Sequence, residues 1–149
     1  MSDRDFLLEA IELSRSAPPS QSAYSVGALI VDSRGDVVAG GYSRERGRRS
    51  HAEQVAIEKA LERRVAFKGA TLYSSLEPCS VRGSGGVTCA ARILDAGIGR
   101  VVFAMREPSV FVEGHGAEVL ATAGVEVVEM AELAPLVAEV NAHLVGESR

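Results

Sequence analysis

Three short segments of this sequence carry residues that could form a metal centre: His51-Ala52-Glu53, Glu77-Pro78-Cys79 and Cys89. Imidazole nitrogen and thiolate sulfur are ligands that zinc binds in proteins. One histidine and two cysteines leave the fourth tetrahedral position open for water, which is the layout of catalytic rather than structural zinc sites. Zinc lowers the pKa of bound water toward ~7, so hydroxide is available at neutral pH. These residue types therefore predict hydrolytic chemistry.

Glu53 follows the candidate ligand His51 by two residues, and its carboxylate could move protons to and from the attacking water. Positions i and i+2 of a regular helix do not share a face. The two side chains therefore converge only if His51 lies at the start of the helix, and Ser50 is a candidate N-cap.

The elements that must position these residues alternate between helix and strand. Hydrophobic spacing predicts helices over Asp5–Ser16, Glu53–Arg64, Ala90–Ala96, Gly116–Ala123 and Glu132–Leu144, and strands over Val26–Val31, Val37–Tyr42, Thr71–Ser75, Arg100–Met105 and Val125–Glu129. The later part favours parallel strands covered by helices, and the opening hairpin makes the sheet mixed. We therefore expect an α/β fold, a three-layer α/β/α sandwich around a five-stranded sheet, in a single domain over residues 1–149.

The candidate ligands fall at favourable places in this arrangement. Pro78 and Cys79 follow a predicted strand, and ligands of open α/β sheets bind beyond the carboxyl ends of the strands. Cys89 lies at the start of a predicted helix, where the helix dipole favours a thiolate.

Composition excludes several other classes of protein. The chain has 149 residues, of which 46% are hydrophobic and 24% charged, so it is neither disordered nor low in complexity. The longest apolar run, about Val26–Val31, is far shorter than a membrane helix requires. Two cysteines are too few for a disulfide scaffold, and the acidic start of the chain is unlike a signal peptide. We expect a cytoplasmic protein that is not bound to a membrane.

The motifs resemble the cytidine deaminase superfamily. His51-Ala52-Glu53, together with Pro78-Cys79 and Cys89, is similar to the H-x-E and P-C signature of zinc deaminases. Within the superfamily, Thr71–Ser80 resembles the strand and first cysteine loop of the deaminase domain of riboflavin-biosynthesis deaminase–reductases. Further similarities to that domain lie at Ala96–Val102, Glu107–Gly116 and Ala123–Val125.

This resemblance implies a zinc ion bound by His51, Cys79 and Cys89, with Glu53 as the proton shuttle. It also implies a catalytic contribution from Cys79, whose backbone N–H would help to hold the attacking oxygen. The implied reaction is hydrolytic deamination of a pyrimidine-type heterocycle, as base, nucleoside or nucleotide. Family members assemble commonly as homodimers or homotetramers.

Six loop residues are candidates for contact with the substrate: Tyr24, Ser25, Arg48, Arg49, Arg82 and Phe111. Arg48 and Arg49 belong to a group of four arginines directly before His51, and guanidinium groups bind phosphate bidentately. A solvated loop is the competing interpretation of that group. Tyr24 and Phe111 could stack on a base or pack in the core. The loop between the cysteines is glycine-rich and departs from the riboflavin-pathway pattern, so the resemblance specifies the reaction better than the substrate.

Other functions compete with a riboflavin-like deaminase. Cytidine, deoxycytidylate and purine-base deaminases share the motifs. A deaminase that edits tRNA or DNA would need a basic surface, whereas from Glu107 onward the chain has one basic residue against eight acidic ones. Nucleic acid is therefore a disfavoured partner. A non-catalytic zinc-stabilised domain, or a structural zinc site, would have no need of Glu53.

Overall fold

The computed structural model describes residues 1–80, 86–106 and 115–145. The helices are α1 (Asp3–Ser14), α2 (Ala52–Glu62), α3 (Cys89–Ala96), α4 (Gly116–Thr122), α5 (Ala134–Val140) and α6 (Ala142–Val145), and a 3-10 helix spans Ala131–Leu133. The strands are β1 (Gly27–Val31), β2 (Val37–Tyr42), β3 (Thr71–Leu76), β4 (Arg100–Met105) and β5 (Glu126–Glu129).

The strands form one five-stranded mixed sheet in the order β2-β1-β3-β4-β5. Strand β1 is antiparallel to both of its neighbours, β2 and β3. Strands β3, β4 and β5 are parallel. The carboxyl ends of the parallel strands therefore lie at one edge of the sheet, which is where open α/β sheets bind ligands.

Helices cover both faces of the sheet. Because side chains alternate along a strand, Ala28 and Ile30 of β1 pack in the core beneath α2, α3 and α4. Leu29 and Val31 point to the opposite face, where α1 and α5 cover the second core. The predicted three-layer α/β/α sandwich around a mixed sheet is confirmed.

Two glycines allow helices to approach the sheet closely. A Cβ atom at Gly27 would lie 1.9 Å from the Ala10 carbonyl oxygen of α1. A Cβ atom at Gly41 would lie 2.6 Å from the Ala52 carbonyl oxygen, in the first turn of α2. The first turn of α2, beside His51, can therefore occupy its position only because Gly41 of β2 has no side chain.

Two helices differ from the sequence prediction for reasons that their local contacts show, and the bounds of the other three predicted helices shift by one or two residues. Helix α1 begins at Asp3 rather than Asp5, because the Ser2 and Asp5 side chains each bond the other's backbone N–H in a capping box. The predicted terminal helix Glu132–Leu144 is divided, and α5 ends before Asn141. The buried Asn141 side chain binds the backbone of Ser25, 116 positions away in sequence.

Within the described part of the chain, none of the helices combines the length and the apolar character that crossing a membrane requires.

A charged network ties α1 to the sheet and gives a pH-dependent prediction. Two Arg100 nitrogens donate to the Asp3 carboxylate at 2.8 and 2.7 Å, and the Tyr73 hydroxyl donates to it at 2.6 Å. The Arg100 hydrogen bond is the main cause that lowers the pKa of Asp3 from 3.8 to about 2. We expect Asp3→Asn to lower the free energy of unfolding by about 1 kcal/mol at neutral pH, a modest loss because the carboxylate is partly exposed.

The sign of the pH dependence follows from the lowered pKa. The ionised carboxylate stabilises the folded state fully above about pH 4 and loses that contribution as the pH falls toward 2. Thermal melts of the two proteins should therefore differ at pH 7 and converge below pH 4. Asp36→Asn, at the exposed hairpin turn, is the control. A difference between wild type and Asp3→Asn that persists unchanged at low pH would contradict this assignment.

Candidate active site

The three predicted metal ligands come together although they lie on separate elements. His51 directly precedes α2, Cys79 lies in the loop after β3, and Cys89 is the first residue of α3. Nδ1 of His51 lies 3.7 Å from Sγ of Cys79 and 3.3 Å from Sγ of Cys89. The three ligand atoms all lie within 4.8 Å of one another.

This cluster fits a zinc ion in both size and chemistry. Zinc–nitrogen and zinc–sulfur bonds in a tetrahedral site place the ligand atoms about 3.6 Å apart, close to the distances from His51 to the two sulfurs. The Cys89 backbone N–H donates to Sγ of Cys79 at 3.2 Å. Hydrogen bonding from Cys89 is the main cause that lowers the pKa of the Cys79 thiol, and His51 lowers it further. The thiolate is the form of cysteine that binds metal, so the lowered pKa of Cys79 favours metal binding.

Glu53 lies in the first turn of α2 and is almost completely buried, with 4% of its surface exposed. Burial is the main cause that raises its pKa above the usual range of a carboxyl, while the neighbouring His51 and a hydrogen bond from Ser74 lower it. A carboxyl with a raised pKa exchanges protons more readily near neutral pH than an ordinary carboxylate does.

The N-cap of α2 is His51. The prediction from the sequence that Ser50 is the N-cap was therefore wrong. The Ser50 hydroxyl bonds within the preceding loop, to Arg46 N and Gly47 O.

The loop that carries Cys79 is fixed from two sides. The Glu77 backbone N–H donates to the Met105 carbonyl oxygen at 2.8 Å, which binds the loop to β4. The buried Glu77 carboxylate accepts from the Ala117 N–H at 3.0 Å, which binds it to α4. A Cβ atom at Gly116 would lie 1.7 Å from the Pro78 carbonyl oxygen. Helix α4 can therefore press on this loop only because Gly116 has no side chain.

Tyr24 and Ser25, two predicted substrate contacts, are held mainly by the protein itself. The Ser25 backbone bonds Asn141, and its hydroxyl accepts from Arg44 at 3.0 Å. Arg44 also donates to the Tyr24 carbonyl oxygen, and the Tyr24 ring packs against the core under α2. Their contact with substrate stays a prediction.

Two of the four arginines before His51 form hydrogen bonds to other segments of the protein. Arg44 binds backbone carbonyl groups of Pro18 and Tyr24, and Arg46 binds the Glu62 carboxylate at 2.6 and 3.0 Å. Arg48 and Arg49 are exposed and, with Arg46, Gly47, Ser50 and Gln54, line a cleft of about 480 Å³ beside the start of α2. We call this the arginine cleft.

Two predicted contacts, Arg82 and Phe111, lie outside the described residues. Two further residues of this region were not predicted from the sequence: Ser74, whose hydroxyl contacts Glu53, and Asn141, which fixes Ser25. In hindsight, the available signal was a serine between the apolar positions Leu72 and Leu76 of a strand, and an asparagine within an apolar helical stretch.

This fold and this cluster define a deaminase-type zinc-binding domain. The sequence profile described as "Cytidine and deoxycytidylate deaminase zinc-binding region" matches residues 1–105. The chain belongs to this family.

Individual relatives agree with that assignment. The "Diaminohydroxyphosphoribosylamino-pyrimidine deaminase" of Schizosaccharomyces pombe is 39% identical over 127 residues, which cover 84% of this chain and 31% of that protein. A deaminase/reductase structure from Thermotoga maritima has a TM-score of 0.77 at 33% identity, covering 93% of this chain and 38% of the other. The Aspergillus oryzae Rib2 deaminase in complex with DARIPP has a TM-score of 0.75 at 25% identity, covering 97% and 90% of the two chains.

The predicted resemblance to riboflavin-pathway deaminases is confirmed. The chain spans about a third of the length of the curated relatives it matches.

Proposed function

We propose that the protein is a zinc-dependent hydrolytic deaminase of a pyrimidine that carries a phosphorylated sugar. The reaction adds water to the carbon that bears the amino group and releases ammonia, so that a C–NH₂ group becomes C=O. The observation that carries the proposal is the convergence of His51, Cys79 and Cys89 beside the buried carboxyl of Glu53. The name of the S. pombe relative and the DARIPP complex of the A. oryzae relative support a pyrimidine substrate.

His51, Cys79 and Cys89 would hold the zinc ion, which when bound supplies Lewis-acid activation of water at neutral pH. Glu53 accepts a proton from the attacking water and delivers it to the ring nitrogen of the substrate. In a second transfer, Glu53 moves the remaining proton of the added oxygen to the amino group, and the C–N bond breaks to release ammonia as the C=O bond forms. The backbone N–H of Cys79 helps to hold the attacking oxygen.

The arginine cleft gives this proposal a phosphate-binding residue pair. Arg48 and Arg49 lie shortly before the candidate metal ligand His51 in sequence and line a concave surface with the N-terminal turn of α2. Their guanidinium groups can bind a phosphate bidentately. Tyr24, Ser25, Arg82 and Phe111 remain proposed contacts to the heterocycle and sugar.

Replacing Arg48 and Arg49 by alanine tests the cleft. We expect KM for a phosphorylated substrate to rise about 10- to 100-fold, the value of one or two charge-assisted hydrogen bonds. KM for the dephosphorylated form should not change. Arg4→Ala/Arg34→Ala removes the same charge at exposed positions elsewhere and is the control. If the Arg48/Arg49 variant and wild type had equal KM values for the phosphorylated substrate, the arginine cleft would have no role in substrate binding.

The activity itself is tested by ammonia release from the zinc-loaded protein. The substrates are cytosine, cytidine, cytidylate, deoxycytidylate, guanine, adenine, and the aminated pyrimidine nucleotide of riboflavin synthesis. Release from that last compound is expected, and Glu53→Gln should abolish it. Release from cytidine, deoxycytidylate or a purine alone would replace the proposed substrate. If the zinc-loaded protein released no ammonia from any of these compounds, the proposed reaction would be contradicted.

We also propose a cytoplasmic homodimer or homotetramer. Reducing conditions keep Cys79 and Cys89 available as thiolates. The partly exposed apolar side chains of Leu61, Leu94 and Val119 on α2, α3 and α4 support contact between copies through that helical layer. Cell fractionation and sedimentation velocity measure these two properties, and a monomer at all concentrations would contradict the second.

A further inference from the structure

A polar side chain interrupts the apolar face of β3 beneath α2. Ser74 is fully buried, and its neighbours on that face, Leu72 and Leu76, belong to the hydrophobic core. A buried hydroxyl is unfavourable unless it forms hydrogen bonds. The Ser74 hydroxyl lies 2.7 Å from the Leu76 carbonyl oxygen and 3.2 Å from Oε2 of Glu53.

The hydrogen atoms available for these two contacts limit how they can form. A serine hydroxyl has one hydrogen to donate and two lone pairs that accept. The Leu76 carbonyl oxygen can only accept, and so can an ionised Glu53 carboxylate. When the hydroxyl donates to Leu76, its contact with Oε2 is favourable if Glu53 is protonated and donates to Oγ. When the hydroxyl turns toward Oε2, it donates to the ionised carboxylate.

We propose that Ser74 is a positioning residue, whose hydroxyl holds Oε2 of Glu53 and so fixes the orientation of this buried carboxyl in the first turn of α2. Oε1 is then the oxygen that exchanges protons with water and substrate. This inference rests on the proposed function, because Glu53 must be the shuttle for its orientation to affect turnover.

The adjacent residue offers a matched control. Ser75 is also fully buried on β3, but its hydroxyl accepts from the Gly27 N–H at 3.1 Å on the other face of the sheet. Ser74→Ala and Ser75→Ala therefore each remove one buried hydroxyl of the same strand, together with the hydrogen bonds that it forms inside the protein. Only the first change removes a partner of Glu53.

The test compares zinc-loaded wild type with Ser74→Ala, Ser74→Thr and Ser75→Ala. We expect Ser74→Ala to lower kcat about 10- to 100-fold, the usual effect of losing a residue that orients a catalytic group. KM should stay unchanged because Ser74 lies beneath the site. Ser74→Thr keeps a hydroxyl and should restore most of kcat, and Ser75→Ala should have the wild-type kcat.

A second measurement does not depend on turnover. The carboxylate stretch of Glu53 can be isolated in infrared spectra at alkaline pH by subtracting the spectrum of Glu53→Gln. It should shift in Ser74→Ala and stay in place in Ser74→Thr and Ser75→Ala. An unchanged kcat in Ser74→Ala, equal losses in Ser74→Ala and Ser75→Ala, or an unshifted band would each overturn the inference. An inactive wild type refutes the proposed function instead, and the infrared comparison then decides whether the Ser74–Glu53 bond exists.

Discussion

Glu53→Gln should lower kcat for deamination about 10³-fold while zinc stays bound, since general acid–base groups contribute ~10²- to 10⁴-fold to rates. Glutamine fills the same buried volume in the first turn of α2 and can still bond the Ser74 hydroxyl. It cannot take up the proton of the attacking water or deliver it to the substrate. Ammonia release gives kcat, and elemental analysis of the purified variant gives its zinc content.

Glu58→Gln is the matched control on the same helix. Glu58 lies one turn beyond Glu53, is partly exposed and forms an ion pair with Arg46 at 3.6 Å. Its replacement should leave both kcat and zinc content at the wild-type values. If Glu53→Gln lost its zinc, Glu53 would be a ligand or a support of the metal site rather than the proton shuttle.

The site was largely predictable because simple topology brings its parts together. Cys79 follows a strand, Cys89 begins a helix, and His51 directly precedes another helix. All three positions could be assigned from local sequence patterns. In an open α/β sheet, segments at the carboxyl edge of the strands meet at one place. The requirement that His51 lie outside regular helix geometry also follows from its spacing to Glu53. The structure meets that requirement, with His51 immediately before α2.

Contacts between distant segments could not be predicted from the sequence. Ser74 meets Glu53 only because α2 crosses the sheet at one particular place, and the close approach at Gly41 helps to set that place. Asn141 fixes Ser25 from the other end of the chain, and the same bond accompanies the break in the terminal helix. Local patterning gives the face that a side chain occupies but not the partner that it meets across the core.

The arginine group shows the same limit at the surface. Four arginines within six residues form one cluster by sequence alone. Arg46 pairs with Glu62 at the far end of α2, and Arg44 caps backbone carbonyls of the segment before β1. Arg44 adopts a left-handed backbone conformation, with φ of 64°, which three-dimensional contacts stabilise and no sequence pattern indicates. Of this group, the exposed Arg48 and Arg49 are the two that we propose to bind phosphate.

Cys89→Ser should weaken zinc binding more than ~100-fold, because losing even a residue that supports a ligand costs 10- to 100-fold. Cys89 is fully buried at the start of α3, and its sulfur lies 3.3 Å from Nδ1 of His51. A serine hydroxyl stays protonated at neutral pH and is a poor zinc ligand. Competition with a chromophoric chelator measures the affinity, and elemental analysis after dialysis measures the zinc that remains.

The interpretation of that loss depends on the fold remaining intact. Ala91→Ser, at an exposed position in the same turn of α3, introduces the same hydroxyl without touching the cluster and should bind zinc as wild type does. Circular dichroism should show the same helix content in both variants when they are loaded with zinc or cadmium at saturating concentrations. If Cys89→Ser still bound a full equivalent of zinc tightly, Cys89 would not be a zinc ligand. Since His51 and Cys79 alone make too few protein ligands for a stable catalytic site, that result would also require a ligand from elsewhere in the chain.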